Sequence, residues 1–124
     1  ILLVDDDPNQ RRTVAIGLRL DGFHVVEAID GVDALAKLET CSPVAVVSDI
    51  KMPRMDGLEL LDVLQFRSPD LPCVLMSGCV MLTDQLAERG TPSFAVLPKS
   101  AGFARLSELL QHLLEDGDSR IQSA

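Results

Sequence analysis

Five short runs of β-branched and aliphatic residues recur along the chain, at 1–4 (ILLV), 24–28 (HVVEA), 44–48 (VAVVS), 73–76 (CVLM) and 94–97 (FAVL). Turn residues bound each run, so each reads as a short buried strand. Between and after them the apolar positions recur at helical spacing: Val14 and Leu18; Val32, Leu35 and Ala36; Leu60, Leu61 and Leu64; Leu82 and Leu86; then Phe103, Leu106, Leu110 and Leu113. Strand and helix therefore alternate five times. The punctuation agrees. Asp7-Pro8 supplies an N-cap and first-turn proline, and Gly22 can close the first helix with positive φ. Asp30-Gly31 opens the second helix, Asp56-Gly57 the third, and Ser68-Pro69-Asp70 ends the third. Gly90-Thr91-Pro92 ends the fourth, whose apolar stripe is the thinnest and which is expected to be the most mobile element.

Parallel strands need crossover helices, and near-continuous apolar strands fit burial on both faces. The pattern thus predicts an α/β domain, a doubly wound parallel sheet with helices on both sides. Ligands of such sheets bind at the carboxyl ends of the strands, near the point where strand order reverses. Residues 1–115 are read as the domain. Residues 116–124, within the polar stretch EDGDSRIQSA, are read as a linker or disordered tail.

At the predicted strand ends stand Asp5-Asp6-Asp7, Asp49, Ser77-Gly78 and Pro98-Lys99-Ser100. Asp7 is explained as a helix cap, but three aspartates in succession are not. Carboxylates converging on one crevice repel one another and raise their own pKa values unless a cation lies among them. The anions therefore predict a cation. Oxygen donors without a histidine or cysteine cluster suit Mg²⁺, with Mn²⁺ as a substitute. A magnesium ion beside a carboxylate nucleophile, a hydroxyl donor and a lysine is the set required for phosphoryl transfer. Asp49 is the expected nucleophile because it stands alone at the end of the central strand, whereas the pair Asp5 and Asp6 is better placed for metal.

Charge and cysteine content narrow the class. The 124 residues carry eleven basic and nineteen acidic side chains, a net charge of −8, so no global field draws nucleic acid or an anionic membrane surface. The apolar runs are too short to span a bilayer. Cys41, Cys73 and Cys79 are odd in number and lack metal-type spacing, which favours a reducing cytoplasm over a disulfide framework. The chain opens on Ile1-Leu2-Leu3-Val4 without a signal-peptide pattern and is read as an excised piece. Neither G-x-G-x-x-G nor a Walker pattern occurs, which argues against nucleotide binding.

With ILLVDDDP at 1–8, SDIKMPRMDG at 48–57, LMSG at 75–78 and LPKS at 97–100, the chain resembles the receiver domain of bacterial two-component response regulators along nearly its full length. The resemblance implies a flavodoxin-like fold with five strands in order 2-1-3-4-5 and five helices. It implies that Asp49 accepts a phosphoryl group, that Asp6 binds Mg²⁺ directly, that Asp5 assists largely through water, and that the main-chain carbonyl of Lys51 completes the protein ligands. Ser77 would hydrogen-bond a phosphoryl oxygen, and Lys99 would pair with Asp49 or its phosphoryl group. The implied donor is a phosphohistidine on a histidine kinase or histidine phosphotransfer protein, so His24 and His112 are not implicated. The implied output and homodimer surface is formed by the fourth helix, the fifth strand and the fifth helix.

Three positions depart from that family's usual pattern. Ser100 stands where proline is common, often after a cis bond that would cost roughly 2.5–4 kcal/mol before serine, so the Lys99 loop is expected to sit differently. Val96 replaces an aromatic residue that swings inward on activation. Gly78 replaces alanine and leaves more room beside Ser77. Two other classes are open to the same residues. In a magnesium-dependent phosphohydrolase of the haloacid-dehalogenase type, Asp5-Asp6-Asp7 would be the catalytic D-x-D. That class wants a threonine-like residue where Asn9 stands and further carboxylates after the lysine. In a pseudo-receiver, partners would bind without phosphorylation, but the acceptor or the lysine would be missing.

Overall fold

A computed structural model describes residues 1–78 and 94–123. In chain order the elements are β1 (Leu2–Val4), α1 (Pro8–Leu20), β2 (Val26–Ala28), α2 (Gly31–Leu38), β3 (Val46–Asp49), α3 (Gly57–Arg67), β4 (Cys73–Ser77), β5 (Phe94–Pro98), a 3-10 turn (Lys99–Ala101) and α4 (Phe103–Ser123). The helix expected around Leu82 and Leu86, and Cys79, fall outside the described residues. All strand pairings are parallel and the order is β2-β1-β3-β4-β5, so β3 is central and the order in which strands are added reverses between β1 and β3.

Side chains alternate across this sheet with period two and divide the core into two layers. Leu2, Val4, Val46, Cys73 and Leu75 point toward α2 and α3, where Ala34, Leu60, Leu61 and Leu64 meet them. Ile1, Leu3, Val47, Val74 and Leu97 point the other way, toward Ala15, Leu18, Leu106 and Leu110 of α1 and α4. Burying each such Leu or Val is worth about 1.5–3 kcal/mol, which is what holds the strand ends in register. The ends of α1 and α4 are also joined by a hydrogen bond from the Ser107 hydroxyl to the Asp21 carboxylate.

The helix starts follow the sequence. Asp7 Oδ1 accepts from the N–H groups of Asn9 and Gln10, with Pro8 in the first turn. Asp30 Oδ1 accepts from Asp33 N–H, and Asp56 Oδ1 from Glu59 N–H. Gly22, at φ 96°, turns the chain after α1. Two expectations are corrected. On α2 the buried positions are Gly31 and Ala34, with Leu35 and Leu38 partly covered, while Val32 and Ala36 are exposed. A helix of eight residues is too short for its apolar period to define one face. Strand β2 starts at Val26 rather than residue 24; among the described residues it is an edge strand paired with β1 alone.

Candidate functional site

Strand register assembles the site. Val4 pairs with Ser48, so Asp5 follows β1 beside Asp49 at the end of β3. Asp49 pairs with Met76, which puts Ser77 one residue further along β4. Ser77 pairs with Pro98, and Lys99 follows at once. Four residues distant in sequence are thereby brought to one edge without any loop having to reach them.

Asp5 and Asp49 are both buried, with 5% and 8% of their surface exposed, while Asp6 is exposed. A carboxylate oxygen from each of Asp5, Asp6 and Asp49 lies within 4.8 Å of the others. Asp5 Oδ1 accepts from Asp7 N–H at 2.9 Å, and the Asp5 carbonyl accepts from Arg11 Nη1 at 2.8 Å. Burial pushes the Asp5 pKa up; the Asp7 N–H bond opposes this, the Asp49 charge adds to it, Lys99 opposes it, and Asp6 adds a smaller increment. Three carboxylates thus share the site with the single ammonium of Lys99.

Lys99 Nζ lies 2.9 Å from Asp49 Oδ2 and 3.3 Å from Gln10 Oε1. No cis peptide bond occurs among the described residues, and with Ser100 in the proline position Lys99 opens a 3-10 turn yet still reaches Asp49. Asp49, Ile50, Lys51, Ser77, Gly78 and Lys99 line one cleft of about 250 Å³. Ser77 is buried at its wall. A Cβ on Gly78 would meet nothing within 4 Å among the described residues. Val96 is partly buried and packs against the α2 and α3 core layer.

Asp49 is fixed from behind. Gly57 N–H donates to the Ile50 carbonyl at 2.7 Å, and a Cβ on Gly57 would lie 2.3 Å from the Asp49 carbonyl oxygen. Only glycine allows α3 to start so close to the strand. Between these points the loop turns through Arg54 at φ 66°, a left-handed conformation that costs a non-glycine residue about 1–2 kcal/mol. The Arg54 guanidinium donates to Asp30 Oδ2 from Nε at 2.7 Å, and Nη2 lies 2.5 Å from the same oxygen.

The sequence reading identified the carboxylates, hydroxyl and lysine but not Gln10, Arg11 or the Arg54–Asp30 pair. These have no local signature. Gln10 is simply the residue one turn into α1 that faces Lys99.

Asp30 makes a pH prediction. The Asp33 N–H bond holds its carboxyl below the usual 3.8; burial opposes this and the Arg54 hydrogen bond and charge reinforce it. A depressed folded pKa contributes stability that is fully present above the unfolded value and lost as pH falls through the folded one. Urea midpoints should show the native chain more stable than Asp30→Asn near pH 6, with the gap closing below about pH 4. A gap that is constant down to pH 2 would contradict this.

A phosphohydrolase of the haloacid-dehalogenase type would need more carboxylates on a strand after Lys99, and α4 occupies that stretch instead. Cys41 and Cys73 are free thiols, and burial pushes the Cys73 thiol up to about 12, which makes it inert. No helix among the described residues is long and apolar enough to cross a membrane.

Known proteins share the sequence pattern and the fold of this chain. The family described as response regulator receiver domain matches residues 1–111. The transcriptional regulatory protein PrrA of Mycobacterium leprae is 37% identical over 79% of this chain and 43% of its own length. The response regulator MprA of Mycobacterium sp. (strain KMS) is 34% identical over 92% of this chain and 50% of its own length. The chain thus spans about half the length of these curated relatives, or less. The crystal structure of the receiver domain of NtrX from Brucella abortus superposes with a TM-score of 0.82 at 32% identity, covering 92% of this chain and 97% of that one. A flavodoxin-like sheet in order 2-1-3-4-5, an acidic cluster at its carboxyl edge and a family match over nearly all its length make this chain a member of the response regulator receiver domain family of two-component signalling.

Proposed function

We propose that Asp49 is the phosphoacceptor of this domain and that the acidic crevice beside it holds Mg²⁺, with Mn²⁺ able to substitute. The observation that carries this reading is the placement of Asp5, Asp6, Asp49 and Lys99 at one sheet edge, with three carboxylate oxygens within 4.8 Å and the lysine at 2.9 Å from the acceptor.

The donor set fits a hard divalent ion. It is all oxygen, it is partly open to water through Asp6, and it gathers three carboxylates around one lysine, while burial, with the Asp49 charge adding to it, raises the Asp5 pKa. Asp6 and Asp49 would bind directly, Asp5 largely through water, and the main-chain carbonyl of Lys51 would complete the protein ligands. When bound, the ion supplies positive charge that neutralises phosphoryl oxygens.

The chain's own residues do the rest. An Asp49 carboxylate oxygen attacks phosphorus in line, the P–N bond to the donor imidazole breaks, and the departing imidazole nitrogen takes up a proton. Lys99 shares its ammonium between Asp49 and the incoming oxygens, and the Ser77 hydroxyl donates to one of them. The acyl phosphate carries about −1.5 to −2 charge in place of the carboxylate's −1, and its oxygens draw the Ser77 hydroxyl inward. The response spreads toward β5 and α4 as the output and homodimer face; Val96 gives that face no aromatic lever. The donor is a histidine kinase or histidine phosphotransfer protein in the cytoplasm. Residues 116–124, of which 116–123 continue α4, are a linker or tail beyond the domain. The domain promotes its own dephosphorylation but is not an enzyme acting on a separate substrate.

Incubation with acetyl phosphate and Mg²⁺ should add one phosphoryl mass to the intact protein, and EDTA should prevent it. No addition under these conditions would instead support a pseudo-receiver. If the label forms but a beryllofluoride complex leaves hydrogen exchange in β5 and α4 unchanged, the switching part of the reading fails.

Magnesium alone should also stabilise the fold, because it offsets the burial of Asp5 and the repulsion among Asp5, Asp6 and Asp49. At ten times its Kd the linkage is about 1.4 kcal/mol, or a rise of roughly 5 °C in Tm. Calorimetry in matched MgCl₂ and NaCl checks this; equal shifts in the two salts would argue against a specific site.

A further inference from the structure

The loop from Lys51 to Asp56 carries the proposed Lys51 carbonyl ligand, and it is held at two places. At its neck Gly57 N–H donates to the Ile50 carbonyl at 2.7 Å. Further along, it is tied to a different part of the sheet, the turn between β2 and α2. There Asp30, with only 3% of its surface exposed, holds the Arg54 guanidinium through Oδ2, and Gly31 N–H donates to the Met55 carbonyl at 3.2 Å.

Asp30 does two separate jobs with its two oxygens: Oδ1 caps α2 through Asp33 N–H at 2.8 Å, and Oδ2 is given to Arg54. Arg54 sits at φ 66°, where glycine would be the relaxed choice. A left-handed arginine in a short loop requires something to hold it, and the pair of donors on one buried carboxylate oxygen does so.

We propose that Asp30 and Arg54 form a positioning pair, a latch from the β2–α2 turn that fixes the loop bearing Lys51 and thereby sets the affinity of the acidic crevice for its divalent cation. The inference rests on the reading of that crevice as a magnesium site. Neither residue touches the ion. Their effect passes through the backbone between Ile50 and Gly57, as outer residues that orient metal ligands commonly act.

Four variants separate the latch from helix capping and from backbone strain. Asp30→Asn keeps a good N-cap for α2 but removes the charge that holds Arg54. Arg54→Gly removes the latch and relieves the left-handed strain, so it folds without penalty at that residue. Arg54→Lys keeps a cation within reach of Asp30. The double variant Asp30→Asn with Arg54→Gly closes a thermodynamic cycle.

Calorimetric titration with MgCl₂ is expected to give a Kd weakened roughly tenfold in each of Asp30→Asn and Arg54→Gly, no further loss in the double variant, and near-native affinity in Arg54→Lys. Hydrogen exchange of the Gly31 amide in the metal-free protein should rise in both single variants. Native Kd values in Asp30→Asn and Arg54→Gly, or losses that add in the double variant, would overturn the latch while leaving the magnesium site standing. Failure of the unsubstituted chain to bind Mg²⁺ would overturn the site itself, and the latch with it.

Discussion

Replacing Asp49 by Asn is expected to abolish phosphoryl labelling from acetyl phosphate, a loss of roughly a thousandfold or more against the native rate, while the chain stays folded. The substitution is nearly isosteric, and its amide is not a nucleophile. An amide oxygen can still accept from Lys99 Nζ, which lies 2.9 Å from Asp49 Oδ2 in the native chain, so the lysine has no reason to leave. Removing one negative charge also relieves Asp5, whose pKa is raised in part by Asp49. Loss of label therefore reports the missing acceptor and not a collapsed site. Intact mass and circular dichroism on the same samples check both halves, and a label that persists in Asp49→Asn would move the acceptor elsewhere.

The second large effect is expected at Gly57, which touches neither ion nor phosphoryl group. A Cβ there would fall 2.3 Å from the Asp49 carbonyl oxygen and 2.8 Å from the Ile50 Cα, both backbone atoms of the central strand's end. Neither can swing aside as a side chain would. Gly57→Ala should force α3 away from β3, at a cost of about 3 kcal/mol in urea unfolding, and shift Asp49 enough to slow labelling on the order of tenfold or more. Gly78→Ala is the matched control, since a Cβ there meets nothing within 4 Å among the described residues, and should change stability by less than about 0.5 kcal/mol. Equal stability of the two alanine variants would contradict the packing argument.

How far the sequence reveals these features depends on the range of the interaction. The five strands were legible because burial on both faces leaves uninterrupted apolar runs, and the strand ends located Asp5, Asp6, Asp49, Ser77 and Lys99 because a parallel sheet sends every carboxyl end to one edge. Helix starts were legible because a cap acts within three residues, as at Asp7, Asp30 and Asp56. The covered face of α2 was not, since eight residues hold too few apolar positions to choose between Val32 and Ala34. The Arg54–Asp30 pair was not either. Its members lie 24 residues apart with no periodic relation, and they meet only because two loops on adjoining crossovers fold over the same edge. Lys99 and Gln10, 89 residues apart, meet for the same reason. Gly57 was read as a helix opener, whereas its closest constraint is the neighbouring strand's backbone.

The central claim is that carboxylates delivered by separate strands form one crevice in which Asp49 becomes an acyl phosphate. Borohydride reduction of the protein phosphorylated with acetyl phosphate and Mg²⁺, followed by peptide mass mapping, tests it most directly, because hydride converts an aspartyl phosphate into an alcohol at the residue that carried it. The expected result is conversion at Asp49 alone, dependent on Mg²⁺. Conversion at Asp5 or Asp6, or none at all in a labelled sample, would contradict the account.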